Sequence, residues 1–140
     1  MEIYVSYKDY IWMMDFLEKM LEKIALKLHG TTVVKIGDKE IDFKAGYRRL
    51  PILEAIKEYA GVDVKGMGVD ELRETCKKLK VELDASMCVG KLIDDIFGEY
   101  CEEHLIEPTF IIDYPVEMSP LTKRHREDPT LTERFELFVC

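Results

Sequence analysis

Two carboxylates stand where polar groups are unusual. Glu2 lies in Glu2-Ile-Tyr-Val5, whose alternation places Glu2 and Tyr4 on one strand face and Ile3 and Val5 on the other. Glu136 interrupts the apolar run Arg134-Phe-Glu-Leu-Phe-Val-Cys140. There Phe135, Leu137 and Val139 face one way, and Glu136 and Phe138 the other. A carboxylate inside an apolar strand must be paired, metal-bound or turned to water. Acidic groups on one sheet face would suit a cationic substrate or Mg²⁺. A third polar set lies in Pro108–Leu121. Phe110–Ile112 reads as a buried strand that Pro115 and Pro120 forbid from continuing. Asp113, Glu117 and Ser119 in that exit loop are candidates for the wall of a site at a sheet end.

Other reactive residues have structural readings. Cys76, Cys88, Cys101 and Cys140 form no CxxC pair, and His29, His104 and His125 do not flank them at metal spacing. Cys101 and His104 are three apart on a predicted helix, but two ligands do not make a zinc site. Free thiols in a reducing cytosol are expected. His29 suits a helix C-terminus, as do Lys77, Lys78 and Lys80. Gly90-Lys91 lacks the upstream glycine and strand of a phosphate loop. The run Lys123-Arg-His-Arg126 reads as solvated surface, with contact to an anionic substrate or RNA as the functional alternative.

The elements that must position these groups follow from periodicity. Ser6 is expected to cap a helix over 7–29, with Asp9 at its third position. Met13, Phe16, Leu17, Met20, Leu21, Ile24 and Leu28 are its expected buried face, and Gly30 its stop. Val33–Ile36 and Lys39–Phe43 flank Gly37-Asp38 as a hairpin. Residues 44–50 read as a connection carrying Arg48 and Arg49. Pro51 is suited to the first turn of a short helix through Ile52, Leu53 and Ile56. A second short helix is expected over 70–79 and a third over 89–106, the latter burying Leu92, Ile93, Ile96, Phe97, Tyr100, Cys101 and Leu105. Residues 51–106 thus form a helical insertion bracketed by strand-like segments at 2–5, 109–113 and 131–139.

Composition bounds the function. The 140 residues suit one domain, 47% are hydrophobic, and the net charge of −8 argues against a free-standing nucleic-acid binder. No run approaches the roughly 18 apolar residues of a membrane span, and the opening residues do not have the pattern of a signal peptide. The chain starts and stops inside strand patterns, so an excised fragment is expected.

Met1–Tyr10, Pro108–Leu121 and Thr132–Phe138 give the sequence its resemblance, which extends over all 140 residues. It resembles the catalytic domain of bacterial-type class II lysyl-tRNA synthetases. The resemblance implies an α+β fold: part of the family's antiparallel sheet, flanked by a long helix and carrying the 51–106 insertion. Members activate lysine with ATP and Mg²⁺ and transfer it to tRNA(Lys). Glu2 and Tyr4 match the family's lysine-pocket Glu and Tyr, and Glu136 matches its ligand for ATP-bound Mg²⁺. The resemblance further implies a cytoplasmic, homodimeric parent without membrane attachment.

Motif 1, most of motif 2, motif 3 and the anticodon-reading domain have no counterpart among these residues. The isolated chain is therefore expected to be inactive, because the cationic clamps on the triphosphate are missing. Two alternatives remain: a binding module that self-associates through unpaired sheet edges, and a synthetase paralogue that lysylates another macromolecule. The expected outcome for the purified 140-residue chain is no lysine-dependent ATP–pyrophosphate exchange; clear exchange would sink the fragment reading.

Overall fold

The computed structural model describes residues 2–84 and 87–140. Its centre is a three-stranded sheet of β3 (Arg48–Pro51), β4 (Thr109–Ile112) and β5 (Phe135–Phe138), in the order β3-β4-β5. β3 runs parallel to β4, and β5 runs antiparallel to it. On one side lies the 20-residue helix α1 (Tyr10–His29). On the other lie α2 (Ile52–Tyr59), α3 (Val69–Leu79) and α4 (Val89–Tyr100). A separate antiparallel hairpin, β1 (Val33–Ile36) and β2 (Lys39–Asp42), turns at Gly37 with φ of 60°. The α+β arrangement agrees with the sequence reading, with one parallel pairing added.

Adjacent residues of β4 explain the layers. Phe110 and Ile111 point to opposite faces, and both are fully buried. Phe110 packs with Met14 and Tyr47 against α1, supported by Phe135 and Leu137 of β5. Ile111 joins Leu50, Ile56, Leu72, Ile96 and Phe97 in the larger core on the other side. Phe138 reaches that second face, with its ring 5.3 Å from Phe97. The alternation expected for residues 135–138 is therefore present, and it places Glu136 on the α4 side with Phe138.

The helical insertion follows its periodicity closely. Ile52, Ala55 and Ile56 of α2, Leu72 and Cys76 of α3, and Leu92 and Ile96 of α4 are all fully buried. The third helix is shorter than expected. It ends at Tyr100, and a single 3-10 turn follows at Glu102–His104.

Four further expectations are corrected. Residues 2–5 form no strand, because none of the described residues pairs with them; Ile3 and Val5 stay 37% and 39% exposed. α1 begins at Tyr10, not near Tyr7, since the Asp9 carboxylate accepts the Trp12 N–H at 3.0 Å while Tyr7 adopts φ of 60°. Its buried face carries Met14, Glu18 and Ala25, with Leu17 and Leu21 packed alongside, and leaves Ile24 and Leu28 exposed. The helix is apolar on two sides, so periodicity alone did not select the one that meets the sheet. Finally, residues 48–51 are not a connection but strand β3. Its two arginines divide between the layers: Arg49 pairs with Asp15 of α1, and Arg48 with Glu58 of α2 at 2.5 Å. Charged residues on an edge strand also discourage pairing with other chains.

Phe110→Ala should cost about 3–5 kcal/mol, since truncation leaves a cavity between β4 and α1. Urea unfolding followed by circular dichroism measures it. A loss below about 1 kcal/mol would show that this face of the sheet is loosely packed.

Candidate functional site

Glu136 sits at the second position of β5, opposite Ile111 of β4. Beside it opens a cleft of about 310 Å³ between the sheet, α4 and the turn at Val116–Met118. Lys91 and Asp94 come from α4, Glu117 and Met118 from the turn, Tyr114 from the end of β4, and Arg134 and Glu136 from β5 and its approach. The cleft floor depends on Gly90. A Cβ there would lie 3.0 Å from the Glu117 carbonyl oxygen, so a larger residue would push the turn back by a few tenths of an ångström.

Both carboxylate oxygens of Glu136 carry a donor. Arg134 Nη2 donates to Oε1, and the Tyr114 hydroxyl donates to Oε2 at 3.1 Å. Arg134 in turn donates from Nη1 to Ser119 Oγ at 2.6 Å, and its guanidinium lies 4.3 Å from the centre of the Tyr114 ring. Burial and the Glu136 charge push the Tyr114 phenol well above its ordinary value, so it remains a donor. Thr132, fully buried, holds the neighbouring backbone by donating its N–H and hydroxyl to the Tyr114 carbonyl at 2.9 and 3.0 Å. On α4, Lys91 pairs with Asp94 at 3.2 Å and Asp95 at 2.7 Å.

The other candidates are dispersed. Glu2 and Tyr4 meet each other, with Tyr4 Oη 3.5 Å from Glu2 Oε2, and both are exposed outside the cleft. Glu117 lines the cleft, and Ser119 acts on it through Arg134. Asp113 turns toward α1 instead. It has φ of 57°, accepts the Tyr10 hydroxyl at 3.2 Å and lies 3.9 Å from His125 Nε2. Burial raises its pKa, while the Tyr10 hydrogen bond opposes the rise. A larger groove of about 480 Å³ follows the outer face of α1, along Trp12, Phe16, Met20 and Ile24. It gathers side chains from one helix only, with Asp15, Lys19, Lys23 and Lys27 beside the apolar ones.

The basic run serves the fold. Arg126 and Lys123 hold Glu133 at 2.6 and 2.9 Å, and Arg126 also reaches Asp9 at 3.1 Å. Arg124 donates to the Pro129 carbonyl, and His125 Nδ1 accepts from the N–H groups of Glu127 and Asp128. The run thereby fastens α1 to the loop before β5. Arg134 and Tyr114 were missed. The signal for Arg134 was present: it lies two residues before Glu136, hence on the same side of an extended chain.

On donor chemistry, Glu136 fits a hard cation. Mg²⁺ commonly takes one or two carboxylates and completes its shell with phosphate and water. No group of three or more metal-ligating side chains occurs among the described residues.

These features define an α+β domain with a polar cleft on one face of its central sheet. The chain belongs to the class II tRNA synthetases (D, K and N), whose family profile matches residues 1–140. It is 63% identical over 139 residues to a lysine–tRNA ligase of Porphyromonas gingivalis, covering 99% of this chain and 24% of that protein. It is 56% identical to the lysine–tRNA ligase of Christiangramia forsetii, covering 100% of this chain and 25% of the relative. The corresponding protein of Azobacteroides pseudotrichonymphae is also 56% identical, over 99% of this chain and 28% of the relative. The chain thus spans about a quarter of the length of the curated relatives it matches.

The Glu133 clamp has a testable pH dependence. Arg126 first, then Lys123, lowers the Glu133 carboxyl from its ordinary 4.5 to about 2. A depressed carboxyl contributes stability that is present above 4.5 and is lost as pH falls toward 2. Thermal midpoints of the native chain should therefore drop more steeply across that window than those of Glu133→Gln. Parallel curves would show that the clamp contributes no linkage.

Proposed function

We propose that this chain is the part of a lysine–tRNA ligase catalytic domain that carries one wall of the adenylation site. The observation behind it is the 56–63% identity to proteins named lysine–tRNA ligase along essentially the entire chain. The reaction joins a lysine carboxylate oxygen to the α-phosphorus of ATP while the bond to pyrophosphate breaks. Lysine is then transferred to tRNA(Lys). In this reading residues 51–106 are the domain's helical insertion, and the parent protein works as a homodimer in the cytoplasm. No described helix is long and apolar enough to cross a membrane.

Each residue has a definite task. Glu136 offers a half-exposed carboxylate on strand β5 that would hold a Mg²⁺ ion arriving with ATP. Bound Mg²⁺ would supply charge neutralisation at the phosphates. Tyr114 holds one oxygen of Glu136 by a hydrogen bond, and Arg134 pairs with the other. Glu2 and Tyr4, a carboxylate and a phenol, present acceptors suited to the lysine ammonium group. Their mutual contact already places both groups on one side of the extended segment.

The test replaces the matching segment of the Porphyromonas gingivalis relative with this chain. Lysine-dependent ATP–pyrophosphate exchange should persist. In that chimera Glu136→Gln should lower kcat on the order of a hundredfold, through lost charge stabilisation. Glu2→Gln should mainly raise the KM for lysine. A folded chimera without lysine-dependent exchange, or one activating a different amino acid, would overturn the reading.

A further inference from the structure

The Glu136 cleft holds its own cation. The Arg134 guanidinium is fixed at three places: Ser119 Oγ accepts one N–H at 2.6 Å, Glu136 Oε1 accepts another, and the Tyr114 ring lies beneath the plane at 4.3 Å. The Tyr114 hydroxyl takes Glu136 Oε2. An incoming cation therefore meets a carboxylate that is already neutralised. Two positive groups on one carboxylate repel each other, and a divalent ion doubles the repulsion. Arg134 has a place to stay when it yields Glu136, because Ser119 and the Tyr114 ring hold it independently of the carboxylate.

We propose that Arg134 is a resident counter-ion of Glu136 that a divalent cation must displace, so that Arg134 sets how tightly the cleft takes that cation. Displacement leaves the guanidinium beside the bound ion, free to pair with an anion that arrives with it. Planar donors of this kind suit phosphate oxygens. The cleft thereby favours a metal–phosphate pair over a metal alone. The inference rests on the proposed role of Glu136 as a cation ligand, and on no other part of the adenylation reading.

Titration of the purified 140-residue chain with Mn²⁺ alone, following the free-ion signal by electron paramagnetic resonance, tests it. Arg134→Gln should bind Mn²⁺ about twofold to fivefold more tightly than the native chain, the range expected when a partly exposed ion pair no longer competes. Arg134→Lys, which keeps the charge, should return affinity toward the native value. Ser119→Ala, which loosens the guanidinium, should fall between. Adding Glu136→Gln should erase the gain. Thermal midpoints establish that each variant is folded.

The outcomes are separable. If Glu136→Gln weakens Mn²⁺ binding while Arg134→Gln leaves it unchanged or weaker, Glu136 is a ligand and the counter-ion proposal is overturned. If Glu136→Gln has no effect in either background, or no folded variant binds Mn²⁺, the ligand role of Glu136 fails and the proposal with it. Neither result bears on lysine specificity, which the chimera reads separately.

Discussion

The structure depends on one strand buried on both faces. Phe110 and Ile111 are neighbours in β4, point in opposite directions, and are both at zero exposure. A strand of this kind needs an apolar layer on each side and a paired strand on each edge. α1 supplies one layer and α2 to α4 the other, while β3 and β5 supply the edges. The site inherits its rigidity from this arrangement. Glu136 is paired opposite Ile111, so its backbone is fixed by the most buried strand in the chain. The helical insertion connects β3 to β4, and its packing on Ile111 is what brings α4 and Lys91 to the cleft.

Two charge clusters act on different links. The Arg126–Glu133–Asp9 set joins the loop before β5 to the N-terminus of α1, and its central carboxylate is almost entirely shielded from solvent. That pairing fixes how the long helix enters the fold. The Arg134–Glu136 pair is about one-third exposed on one side and more on the other. A pair of that exposure contributes no more than about 1 kcal/mol to stability. Its consequence is positional: it decides where a carboxylate and a guanidinium stand in the cleft.

Much of the fold was legible because it is local. The α2–α4 faces follow a 3.6-residue period, and Leu92, Ile96 and Cys101 are buried as that period requires. The alternation in β5 placed Glu136 and Phe138 on one face, and the structure agrees. β3 was not legible, because Arg48, Arg49 and Pro51 leave only Leu50 as an apolar strand signal. Its conformation comes from pairing with residues about sixty positions away. The buried side of α1 was hidden for the opposite reason: two apolar stripes gave periodicity no basis for choosing. Within the site, Glu136 was legible as an isolated charge, whereas Arg134 looked like an ordinary polar flank. Its meaning depends on Ser119 and Tyr114, which reach it only through tertiary structure.

The alternation of residues 2–5 marks the limit of pattern reading. An alternating segment specifies two unlike environments, and a strand forms only where a ladder partner and a buried face exist together. Here Ile3 and Val5 remain partly exposed, so neither condition holds. Yet the segment is not remote from the cleft. Val5, Lys8 and Asp9 line a groove of about 400 Å³ with Arg134, the same side chain that borders the Glu136 cleft. Arg134 is thus common to the groove at the approach to α1 and the cleft beside Glu136.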